Sequence, residues 1–130
     1  MQKITIQTNK KQQIIDITKQ VQDIVTNSDQ DEGICYIYTP HATAAIIINE
    51  NWDPNIQEDT LNLLNQLIPD GRWLHDKVDG NGSAHLKSSI LGPSEFVPFK
   101  EKKLLLGQWQ SIMLCDFDGP RQRNVIVELK

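Results

Sequence analysis

Several scarcities in this sequence each close off a class of explanation. Cysteine is used only twice, at Cys35 and Cys115, far apart and in no metal-type spacing. Each lies in an apolar run that reads as a strand, so two buried free thiols are expected, which suits a reducing compartment. No apolar run approaches the roughly 20 residues needed to cross a bilayer. The chain passes from Met1-Gln2-Lys3 straight into alternating residues, with no signal-peptide core, so a cytoplasmic location is expected. Basic residues are not in excess: 13 Lys and Arg stand against 17 Asp and Glu, a net charge of -4. Nucleic acid, which is bound by displacing counterions with a basic patch, is not an expected partner. Repeats, low-complexity segments and linkers are missing as well. A chain of 130 residues is one domain, 1–130, able to bury a core without covalent staples.

What is present is a succession of short apolar runs broken by polar turns. Ile4 and Ile6 alternate with polar neighbours, Thr8 to Lys11 reads as a turn, and Ile14, Ile15 and Ile17 predict the second strand of a hairpin. Thr18 is placed to cap a short helix that buries Val21, Ile24 and Val25. Strands are expected over Ile34 to Tyr38 and Ala44 to Ile48. Asp53 then reads as an N-cap and Pro54 as the first residue of a helix that ends at Pro69-Asp70-Gly71. The loop from Pro69 to Gly82 is long for a compact domain, and such loops are often functional. Ser83 is placed to cap a short helix through Leu91, closed by Gly92. Strands follow over Glu95 to Phe99, Leu104 to Phe117 and Asn124 to Leu129, with a tight turn at Asp118-Gly119-Pro120. The expected fold is an α+β sandwich of mostly antiparallel strands with a few helices.

All three histidines fall in the polar interruptions: His41 between two strands, His75 in the long loop, and His85 at a helix start. Imidazole is the commonest nitrogen ligand of zinc, and three of them leave a coordination position for water or substrate. Singly, each has an ordinary explanation as a turn, loop or helix residue, and no HExxH or short Cys/His spacing forces them together. Two further groups carry polar chemistry. Glu50 and Asp53 stand where a strand gives way to a helix, able to orient a metal-bound histidine or serve as a general base, although Asp53 is also a plain N-cap. Arg121 and Arg123 flank a turn and suit a phosphate or pyrophosphate, or else pair with Asp116 and Asp118. Trp109 reads as core, with the wall of an aromatic-ligand pocket as the alternative.

Pro40-His41-Ala42-Thr43-Ala44-Ala45 with Asn49-Glu50-Asn51 and Asp53-Pro54, then Asn81 to Lys87 and Ser88 to Ser94, then Leu106-Gly107-Gln108-Trp109-Gln110 and Phe117-Asp118-Gly119-Pro120-Arg121, occur in that order. Together they resemble the signatures of the YjbQ family, also called UPF0047, over essentially the whole chain. The resemblance implies a compact α+β homotrimer with a polar site near subunit boundaries, where His41, His75 and His85 bind a divalent metal, zinc first among them. It also implies a small phosphorylated metabolite as partner and thiamine-phosphate synthase activity, a transferase reaction regarded as secondary in the family. That reaction joins a pyrimidine methyl pyrophosphate to a thiazole phosphate and releases pyrophosphate. Glu50 or Asp53 would give acid–base help, and Arg121 would hold the leaving pyrophosphate. A non-catalytic trimeric metal- or ligand-binding protein and a metal-dependent phosphate-ester hydrolase use the same residues. Gln108 where many members have threonine, Cys115-Asp116 before Phe117, and the missing glycine within Lys100 to Lys103 depart from the pattern.

Overall fold

The computed structural model describes all 130 residues. Eight strands form two antiparallel sheets. The larger has the order β1 (Gln2–Gln7), β8 (Gln122–Leu129), β3 (Glu32–Tyr38), β5 (Ser94–Lys100) and β6 (Lys103–Leu104). The smaller has the order β2 (Gln13–Asp16), β7 (Gln110–Asp116) and β4 (Ala44–Glu50). Three α-helices complete the fold: α1 (Thr18–Thr26), α2 (Pro54–Leu67) and α3 (Gly82–Leu91), with a 3-10 turn at Leu74–Lys77. The α+β sandwich expected from the sequence is the fold observed. No helix is long and apolar enough to cross a membrane.

The period of two in β4 and β7 builds two cores from one small sheet. Ala44 and Ile46 of β4, with Ile112 and Leu114 of β7, face the larger sheet and pack with Cys35, Ile37, Val97, Phe99, Val125 and Val127. Val21 and Val25 of α1 join the same cluster. The intervening residues, Ala45, Met113 and Cys115, face the other way and meet Leu64 of α2, Ala84 of α3 and Phe117. A strand apolar on both faces is thus buried on both, and each full-size aliphatic side chain contributes about 1.5–3 kcal/mol. Both cysteines are free and buried, and burial pushes their thiols up to about 11 for Cys35 and about 12 for Cys115.

Four local expectations are corrected. The first two strands do not form a hairpin: β1 pairs with β8 and β2 with β7, in different sheets. The cause is visible at Thr8, whose buried hydroxyl ties the connection to Asp116 and Arg121, so the chain crosses between layers instead of turning back. Thr18 does not cap α1. Its N–H donates to Oδ1 of Asp16 at 2.8 Å, while its hydroxyl accepts the Ile112 N–H at 2.8 Å. The run from Leu104 to Phe117 is two strands in two sheets, separated by a turn in which Gln110 and Gly107 bond each other. Asn81, not Ser83, precedes the first residue of α3. At α2 the reading holds: Asp53 accepts the Asn55 N–H at 2.9 Å, and Pro54 opens the helix.

Candidate functional site

His41 lies in the link between β3 and β4, half-buried against β8. Its Nε2 accepts the backbone N–H of Asn124 at 2.8 Å, and the Thr39 hydroxyl donates to the Asn124 carbonyl at 3.1 Å. An Nε2 lone pair engaged this way leaves Nδ1 as the protonated nitrogen of a neutral ring. Burial, and then the nearby Arg123 charge, hold the His41 imidazole below its ordinary pKa; Asp116 opposes them in part, and Arg121 adds to the lowering.

Beneath this histidine runs a buried polar network. The Arg123 guanidinium, 2% exposed, donates to Oδ1 of Asp116 at 2.5 Å and to the Thr43 hydroxyl at 2.8 Å. Asp116, fully buried, takes the Thr8 hydroxyl on its other oxygen at 2.7 Å. Gly119 is required beside them, because a Cβ there would lie 2.8 Å from both Oδ2 of Asp116 and the Thr8 hydroxyl. Asp118 carries the network outward: its Oδ2 accepts Arg121 Nη2 at 3.1 Å and Asn81 Nδ2 at 3.0 Å. The turn between β7 and β8 is thereby linked to the N-terminus of α3.

The long loop is ordered chiefly by Asp76. Its carboxylate accepts the Trp73 N–H at 2.9 Å and the Gly82 N–H at 2.8 Å, and these bonds hold its carboxyl below the usual range. The Trp73 indole N–H donates to the Pro69 carbonyl at 2.7 Å. This conformation sets His75 edge-on against His85, with ring centroids 4.8 Å apart and planes at 82°. Asp79 stands 3.6 Å from Nε2 of His75. On its other side His85 shares with His41 a cleft of about 220 Å³, to which Ser88 and Ser89 also contribute.

Of the residues singled out from the sequence, the structure brings His75 and His85 together and places His41 across one cleft from His85. No group of three or more His, Cys, Asp or Glu side chains stands in a metal-ligating arrangement. Glu50 and Asp53 lie elsewhere. Ala44 pairs with Asp116 and Glu50 with Gln110, so they stand at the opposite end of β4, roughly 20 Å from the histidine end. Arg123 is closed inside its ion pair, whereas the Arg121 side chain is 54% exposed. Trp109 is not core: it is 52% exposed and packs edge-on to Trp52 at 5.8 Å, lining a shallow depression of about 400 Å³. The aromatic-wall alternative describes its placement better.

Sequence reasoning passed over Asn81, Asp118 and Ser88 as site residues. The available signal was the composition of α3, whose buried positions include Ser83, Lys87 and Ser88, polar residues on an inward face. Three buried side-chain atoms in the whole chain find no hydrogen-bond partner: Asn81 Oδ1, Ser88 Oγ and Arg123 Nε. Native interiors satisfy nearly all such atoms. All three belong to the side chains built around His41 and the start of α3, which marks this region as the candidate site.

The sequence profile of the UPF0047 protein YjbQ-like family matches residues 2–130. A UPF0047 protein of Methanocaldococcus jannaschii is 43% identical, over 98% of this chain and 91% of its own. The UPF0047 protein YugU of Bacillus subtilis is 39% identical, over 97% and 96%. Among solved structures, a YjbQ/UPF0047 family protein of Clostridium acetobutylicum, described as uncharacterized, superposes with a TM-score of 0.96 at 39% identity over 100% of both chains. A protein of unknown function from Sulfolobus solfataricus gives a TM-score of 0.95 at 38% identity, over 98% and 94%.

Proposed function

The chain belongs to the UPF0047 family of YjbQ-like proteins, and from that footing we propose that it is a cytoplasmic enzyme acting on a small phosphorylated metabolite, with thiamine-phosphate synthesis as its reaction. The observation that carries this reading is the concentration of unpartnered buried polar atoms, on Asn81, Ser88 and Arg123, around His41 and α3. A site left unsatisfied by its own protein is suited to a polar ligand.

In the proposed condensation, the bond between the pyrimidine methylene carbon and pyrophosphate breaks, and pyrophosphate leaves with the electron pair. The thiazole nitrogen supplies its lone pair to form the new carbon–nitrogen bond. Arg121, exposed and steered by Asp118, is the cation suited to the departing oxygens. Asn81, oriented by the same carboxylate, leaves its buried amide oxygen without a protein partner.

The expected three-histidine zinc set fits the side chains in part. His75 and His85 would hold a divalent ion, and His41 would have to release the Asn124 N–H to join them. Such an ion would supply Lewis-acid stabilisation of phosphate oxygens. Within one chain Glu50 and Asp53 cannot serve these histidines. The homotrimer that the family resemblance implies is part of the same proposal. The test is a coupled pyrophosphate-release assay with both phosphorylated precursors and added zinc. Release that requires both precursors, and that falls at least tenfold in Arg121→Ala, supports the reading. Metal-replete protein that joins nothing overturns it.

A further inference from the structure

His85, Ser88 and Ser89 occupy positions i, i+3 and i+4 of α3 and therefore share one face, which forms one wall of the 220 Å³ cleft. Ser88 is the unusual member. It is 6% exposed, it lines the cleft, and its hydroxyl bonds nothing. A serine within a helix commonly relieves this by donating to the carbonyl four residues back, here Ala84, and Ser88 does not. The residue is buried at a cavity wall, and its hydroxyl is unpaired.

The rest of the lining is rich in donors. The opposite wall carries His41, whose Nε2 is engaged by Asn124 and whose Nδ1–H has no protein acceptor. His85 adds a second imidazole and Ser89 a second hydroxyl; no carboxylate lines the cleft. A hydroxyl is a poor ligand for zinc, which selects thiolate, imidazole and carboxylate. Hydroxyl and imidazole donors with no carboxylate among them suit an anion.

We propose that Ser88, together with His41 and His85, forms a seat for one tetrahedral oxyanion, the phosphoryl end of a phosphorylated metabolite, with the Ser88 hydroxyl donating directly to a phosphoryl oxygen. The inference rests on the reading that the protein acts on phosphorylated metabolites, and it gives that class of ligand a definite place. It also assigns Ser88 a binding role distinct from that of Arg121, which does not line the cleft.

Inorganic phosphate titrated into the full chain, followed by proton–nitrogen NMR of amides and imidazoles, tests the seat. The expected result is saturable shifts at Ser88, His41 and His85, with affinity about tenfold weaker in Ser88→Ala, the loss typical of one hydrogen bond to a charged group. The same variant should melt a few degrees higher without phosphate, because an unpaired buried hydroxyl has been removed. Ser88→Cys, close in volume and a weaker donor, should also bind less tightly and guards against a collapse peculiar to alanine. Unchanged phosphate affinity in both variants, or shifts confined to Arg121 and its neighbours, overturns the seat. The outcomes separate the two ideas. Condensation with Ser88 silent removes the seat alone, and saturable binding at Ser88 without condensation removes the reaction alone.

Discussion

The backbone N–H of Asn124 points at Nε2 of His41 from 2.8 Å, and this one bond decides which nitrogen of the ring carries the proton. A charged His41 would set an Nε2–H against that N–H. The fold therefore favours the neutral ring, in the same direction as burial and the Arg123 charge. His41 is a fixed donor at Nδ1 rather than a free ligand at Nε2.

Stability should fall in mildly acid solution for this reason. The folded pKa of His41 is lowered, so the unfolded chain binds the extra proton first. The contribution is complete above the unfolded imidazole value, about 6.5. It is lost as pH falls below that value and through the lower folded value. Urea melts of the wild type and His41→Gln at pH 8 and pH 5.5 check it: the wild type should lose more on acidification than the variant. An equal loss in both would remove His41 as a source of the slope.

Zinc binding should depend unequally on the three histidines. His75 and His85 already touch, whereas His41 must break a hydrogen bond to become a ligand. Competition with a chromophoric chelator should show zinc affinity abolished by His85→Ala and strongly reduced by His75→Ala. His41→Ala should change it by less than about tenfold, the low end of what outer groups contribute. Affinity that collapses equally in all three variants would mean that His41 turns to the metal when one is present.

Legibility in the sequence followed the range of the interactions. The helix at Asp53-Pro54 and the strand at Ala44 were readable because cap chemistry and a short unbroken apolar run are local signals, and their residues behave as written. The supposed hairpin failed because the link is governed by Thr8 meeting Asp116, 108 residues away, which no turn rule contains. Likewise, Leu104 to Phe117 looks like one apolar run because nothing local says that its two halves join different sheets. At the site, histidine chemistry drew attention to the β3–β4 link, the long loop and α3, two of whose histidines, His75 and His85, the fold brings together. The tautomer of His41 and the idle hydroxyl of Ser88 depend on β8 and on the packing of α3, and became visible only with the fold.

The Asp116–Arg123 pair should be strongly destabilising to break singly. Both side chains are essentially dry, so removing either leaves an uncompensated charge, at about 3–5 kcal/mol. Asp116→Asn and Arg123→Met, measured by urea denaturation, should each show such a loss, and the double variant should lose less than their sum. Additive losses would mean that the two side chains stabilise independently. Gly119→Ala should destabilise comparably, because its new methyl runs into the Lys10 backbone carbonyl and also meets the Asp116 carboxylate and the Thr8 hydroxyl.

Lys87 should behave in the opposite way, although it too is a buried charge. It is fully buried on α3, with Nζ donating to Oδ1 of Asn65 at 2.6 Å and lying 6.0 Å from the centre of the Phe117 ring. Burial lowers its pKa, and the Asp70 charge opposes that only in part. The neighbours do not need it. Asn65 Oδ1 also accepts from Gln12 at 3.0 Å, and Asp70 keeps Lys11 at 2.7 Å and the Ser83 hydroxyl. Lys87→Met keeps the aliphatic stem, removes the desolvated charge and strands no partner, so the protein should be as stable as before or gain about 1 kcal/mol. Lys87→Ala, which also empties the volume beside Phe117, should lose about 2–4 kcal/mol. A methionine variant that loses as much as the alanine variant would show that the ammonium group, not the stem, is what the core requires there.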